Sequence, residues 1–251
     1  MVTDPSVRDE VDRPRRASHL AAVVRSVAAA TVAGAVVGIL VGGVGGRLAM
    51  ALLAALNRED HGLLTDDGFT IGQFTVGGTV TLLAATAQLG MVGGLLYLVL
   101  RRLALGPRWL RIVSLCVGVA VVFEALVLAP DGIDFTALDP GWLPVALFLA
   151  LPAGFVWVLA LLCERWLAPD SWYATGPLRL VAATLLACLV GGPVLVVIVA
   201  AAVVIGVGCG TVAAVAPDWS RGVAAWAGRV VCAAIGFWAL ATLVENVAAV
   251  A

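Results

Sequence analysis

The chain contains no lysine. Its basic side chains, histidine aside, are 15 arginines, and charged residues of both signs make up only 12% of its 251 residues. A typical soluble domain is about one quarter charged. This scarcity leaves no basic face for nucleic acid. It also excludes an ordinary water-soluble globule, because 62% of the residues are hydrophobic and the mean hydropathy is +1.08. Lipid is the solvent such a chain requires, and its length is best counted in spans of about 20 residues.

Histidine is nearly absent too. His19 lies near the N-terminus and His61 in a polar stretch, neither with a second histidine at ligand spacing, so no zinc site is expected. A membrane hydrolase that relies on an intramembrane histidine is excluded for the same reason. HExxH, GxSxG and P-loop patterns are all missing. The glycine-rich GGVGG at 42–46 follows a helical stretch rather than a strand, unlike a phosphate loop. The five cysteines form no CxxC pair and are odd in number, which argues against a disulfide framework. They read as small buried hydrophobes. No enzyme, cofactor or metal site is expected from these patterns.

What the sequence does have is long apolar runs. The first begins near Leu20 and continues to Leu56, too long for the apolar core of a cleaved signal peptide, so it reads as a retained first helix. Further helices are expected over about 79–100, 109–129, 142–162 and 222–244. Residues 178–216 are ambiguous: one straight helix there would be about 58 Å long, against a hydrocarbon core of about 30 Å. Gly191-Gly192-Pro193 would either kink the run or turn it. A single kinked span to about Ile205, followed by a re-entrant or interfacial stretch, is the favoured reading. The expected architecture is therefore an all-α, polytopic transmembrane bundle of six spanning helices. Residues 1–19 form a disordered cytoplasmic tail and residues 20–251 a single membrane domain.

Orientation follows from the arginines. Eleven lie in the N-terminal tail and in the second and fourth connections, against three (Arg47, Arg58 and Arg221) on the other side. Positive residues favour the cytoplasmic side. A multi-pass plasma-membrane protein with a cytoplasmic N-terminus, and with six spans a cytoplasmic C-terminus, is expected. Trp109, Trp142, Trp166, Trp172 and Trp219 fall at span ends, where an interfacial aromatic belt lies.

Two patterns point to packing. Ala30, Gly34, Gly38, Gly42 and Gly46 recur every fourth residue, a stripe of small residues along one helix face. The second helix carries Thr86, Gly90 and Gly94. Small-xxx-small stripes let helix backbones approach closely in lipid, so these two are expected to meet. The alternative for the first stripe is a hinge or a pore lining.

Three charges are candidates for chemistry. Glu124 lies six residues before Pro130, about 9 Å below the outer boundary, and Arg229 eight residues after Arg221, about 12 Å deep if its helix starts outside. Arg47 sits near the outer edge of the first helix. A pair of Glu124 with Arg229 or Arg47 is expected, since ionisable groups inside spans find partners. Such a pair would lock helices together or serve as an ion relay. Asp66, Asp67, Asp131 and Asp134 gather in the outer loops, but their spacing does not match a calcium loop and Asp-Gly pairs are common in turns.

The run GGVGGRLAM, then TDDGFTIGQFTVGGT, then PDGIDF ahead of Leu143-Pro144, resembles a family of integral membrane proteins from high-GC actinobacteria. The resemblance covers about residues 34–166. It implies membrane residence and fold, and carries over no functional residue. Two functional classes are consistent with the residues. The first is a non-enzymatic structural, regulatory or partner-binding membrane component, acting with the lipid bilayer, with another membrane protein or with further copies of itself. The second is a small transporter or channel using the polar layer around Glu124 and Arg229.

Overall fold

The computed structural model describes residues 5–57, 75–127, 142–189, 197–207 and 218–250, and every element among them is helical. Helix α1 (Pro5–Val37) passes through a π-helical stretch (Gly38–Gly45) into α2 (Gly46–Leu56). There follow α3 (Val76–Leu103), α4 (Arg108–Val127), α5 (Trp142–Trp166), the single turn α6 (Trp172–Thr175), α7 (Leu178–Leu189), α8 (Val197–Val207) and α9 (Asp218–Val250).

Helix α1 begins at Pro5 rather than near Leu20, so residues 5–19 are helical where the sequence predicts a disordered tail. Proline is tolerated in the first turn of a helix, as at Pro5, whereas Pro14 lies inside α1 and leaves one backbone acceptor without a donor.

Among the described residues, five helices are long and apolar enough to cross a membrane, starting at Ser18, Val76, Arg108, Trp142 and Gly222. Between residues 178 and 207 the described residues form two shorter apolar helices. The 12 residues of α7 reach about 18 Å, short of the bilayer core, and α8 is shorter still. Their packing shows that the chain turns back. A Cβ placed on Gly206 would lie 2.9 Å from Val23, and Arg25, two residues farther along α1, donates from Nη1 to the Tyr173 carbonyl oxygen at 2.7 Å, ahead of α7. The start of α7 and the end of α8 therefore lie at the same end of the bundle. In the sequence, Pro193 disfavours a continuous helix through this stretch, since proline lacks the backbone N–H and clashes with the preceding turn. Gly191, Gly192 and Pro193 themselves lie outside the described residues.

Helix α1 is the hub. Val27, Ala28 and Ala29 pack with Met91 and Leu95 of α3, Val181 and Leu185 of α7, and Val199 of α8. Ala30, Ala33 and Val37 pack with Leu159, Ala160 and Cys163 of α5. A centre built of Ala, Gly and Val is narrow enough to take neighbours on all sides. A second layer joins the far end of α4 (Ala125) to the start of α5 (Val145, Phe148) and to Ala239 and Leu243 of α9.

That layer sets the direction of α9. Arg229 donates from Nε to the carbonyl oxygen of Leu103 at 3.0 Å, at the end of α3, while Leu243 packs near the end of α4. The fourteen residues between them cover about 21 Å. Helix α9 thus runs alongside α4 in the same direction, and its C-terminal end lies opposite the N-terminal end of the bundle.

Candidate functional site

The expected partnership of Glu124 with Arg229 is not formed. Glu124 lies sixteen residues beyond Arg108, about 24 Å along α4, whereas Arg229 lies beside Leu103 at the opposite end. The sequence placed both in one layer by assuming that α9 starts on the far side, and the fold reverses that helix. Arg229 instead bonds the Leu103 carbonyl, and its guanidinium carbon stands 5.7 Å from the centre of the Trp226 ring, within cation–π range.

Glu124 is 0% exposed, and neither carboxyl oxygen has a hydrogen-bond partner among the described residues. It faces protein, not lipid, where α4 packs against α5 and α9. A charged carboxylate so placed is costly. Arg47, on α2, forms no ion pair with it. Asp66, Asp67, Asp131 and Asp134 lie outside the described residues.

The small-residue stripes of α1 and α3 meet as antiparallel backbones. A methyl group added at Gly34 would fall on the Gly90 carbonyl oxygen, one at Gly38 on that of Thr86, and one at Gly94 on that of Ala30. The Thr86 hydroxyl donates back to the Leu82 carbonyl oxygen of its own helix at 2.8 Å. Farther along, Gly42 faces the Thr86 side chain at 3.1 Å. Gly46 faces nothing within 4 Å and Gly43 takes its place, close to Leu83 and Thr86. Two effects produce this shift. Every fourth residue on an α-helix is displaced by about 40° around the axis, so a straight stripe winds away. The wide turns of Gly38–Gly45 then move the register by an extra residue.

A further polar cluster escaped the sequence reading. At the arginine-rich end, Tyr97 donates its hydroxyl to Glu164 Oε1 at 3.0 Å, and Arg101 binds the same carboxylate at 3.1 and 3.2 Å. Tyr97 and Arg101 are four residues apart, one helical turn on one face of α3, and Glu164 descends from α5. The available signal was an acid closing an otherwise apolar helix opposite Tyr97-x-x-x-Arg101. The turn between α3 and α4 completes the cluster. Gly106 has a φ of +90°, a conformation that favours glycine, and the short loop returns Arg108 and Arg111 to the side of Arg101. These residues, with Ile112 and Leu115, line a small cavity.

The connection after α5 covers the same end of α1. Ser171 accepts from the Ala174 N–H at 3.2 Å and donates to the Trp166 carbonyl at 2.6 Å, which fixes α6. Tyr173 is buried against Trp166 and Trp172, with ring centres 5.3 and 5.2 Å away. Burial raises its phenol above the usual tyrosine range. Arg165 and Asp170 pair at 3.5 Å with both side chains 74% exposed, an arrangement that adds little stability.

Comparison with protein-family models, curated proteins and solved structures finds no match for this chain.

Proposed function

We propose that the chain is a non-enzymatic, multi-pass protein of the plasma membrane, with its N-terminus in the cytoplasm, acting as a structural, regulatory or partner-binding component. The observation that carries this reading is the α1–α3 seam. The most buried helix of the bundle is closed backbone to backbone against its neighbour at Gly34, Gly38 and Gly90. Helices in such contact make a stiff frame and leave no lining for a route between them. Orientation is supported by the arginines. With α9 starting at the arginine-rich end, Arg221 and Arg229 join the others, and Arg47 alone among the described arginines lies toward the far end. Positive residues collect on the cytoplasmic side.

Two observations favour a second reading, a small transporter or channel. Glu124 is a fully buried carboxyl without a partner, and α7 with α8 is a half-depth pair. Discontinuous helices often border substrate sites. Purified protein in liposomes carrying an internal pH dye and an imposed ion gradient separates the two. A scaffold leaves the gradient decaying as in empty liposomes. A protein-dependent flux that disappears in E124Q, with that variant folded, would replace the scaffold by the transporter.

A further inference from the structure

We propose that the arginine cluster around the small cavity at the ends of α3, α4 and α5 binds the phosphate of an anionic membrane lipid. Three arginines, Arg101, Arg108 and Arg111, line it against the single carboxylate Glu164. Glu164 is already engaged by Arg101 and Tyr97. Arg108 and Arg111 have no carboxylate partner among the described residues. The Nε atom of Arg111 is buried without a hydrogen-bond partner, and a buried donor left unpaired is costly.

The position of these two arginines adds a second argument. Both lie in the first turn of α4, which carries no acid. The N-terminal end of a helix is its positive end and disfavours cations. An oxyanion placed among Arg101, Arg108 and Arg111 reverses this penalty, and planar guanidinium groups match phosphate oxygens two at a time.

The surroundings select a lipid phosphate over a free one. Leu105, Trp109 and Leu110, flanking Arg108, are 59%, 65% and 42% exposed. They form an apolar and aromatic rim at the end of a membrane-length helix, suited to acyl chains beneath a headgroup. Basic pockets between helix ends on the cytoplasmic side have this chemistry. The inference does not depend on whether the protein is a scaffold or a transporter.

The test is native mass spectrometry of the delipidated full-length protein, titrated separately with phosphatidylglycerol, phosphatidylcholine and inorganic phosphate. One saturable phosphatidylglycerol site is expected, at least about tenfold tighter than any phosphatidylcholine site. Binding should weaken about fivefold in R108Q, an exposed position, and about thirtyfold in R108Q/R111Q. R165Q, in the exposed pair outside the cavity, should stay within about twofold. Equal binding of the two lipids by the unaltered protein, or unchanged phosphatidylglycerol binding in R108Q, overturns the proposal. Inorganic phosphate that binds as tightly as the lipid and displaces it assigns the cavity to a free anion and overturns the lipid.

Discussion

Gly34 and Gly90 face each other across the α1–α3 seam so closely that a methyl group on either would fall on the carbonyl oxygen of the other. Neither backbone retreats easily, because α1 is packed on its other sides by α5, α7 and α8. In G34A or G90A the helices must separate, and overpacking of this kind costs about 1–3 kcal/mol. G46A should stay within about 0.5 kcal/mol of the unaltered protein, because nothing lies within 4 Å of the added methyl. Thermal unfolding in detergent checks both. Equal losses at positions 34 and 46 would contradict the seam.

The course of α9 makes a topological prediction. Arg229 is tied to Leu103, and Leu243 packs near the far end of α4. A periplasm-active reporter fused after residue 251 should therefore be active, while the same reporter in the 104–107 loop should be silent. Silence at both sites would restore an even number of crossings.

Tyr97, Arg101 and Glu164 tie the ends of α3 and α5 together. Y97F removes one hydrogen bond and should cost about 0.5–1.5 kcal/mol, with a somewhat larger cost for E164Q, whose carboxylate also meets Arg101. Because the groups share one network, the double variant should cost less than the sum of the singles by about 0.5 kcal/mol or more. Strict additivity in the double-mutant cycle would show that the contacts are independent.

Glu124 has no hydrogen-bond partner to lose among the described residues. Replacing an unsatisfied buried polar group by an apolar one of similar size is near neutral or stabilising, so E124L should unfold no earlier than the unaltered protein. A loss above about 2 kcal/mol, the range for breaking a buried charged pair, would reveal a cation held by this carboxyl.

The apolar runs, the arginine asymmetry and the two small-residue stripes are all local features, and each is plain in the sequence. A helix in lipid must satisfy its own backbone, so a long apolar run determines a spanning helix with little help from elsewhere. That is why five of the expected spans, the all-helical class and the α1 and α3 faces were legible. The polar cluster at Glu164 was less so, because its members are 63 and 67 residues apart and only the packing of α3 on α5 brings them together.

The sequence by itself determined the apolar character and the helices, because hydrophobic length acts residue by residue. The tertiary structure alone decided that α7 and α8 pack on the same flank of α1, that α9 runs alongside α4, and that Glu124 and Arg229 lie at opposite ends. A break at Gly191-Gly192-Pro193 is compatible with a kink or a turn. Which of them forms depends on what α7 and α8 find to pack against. Val181, Leu185 and Val199 find the same narrow, alanine-lined flank of α1, and that shared surface holds α7 and α8 together.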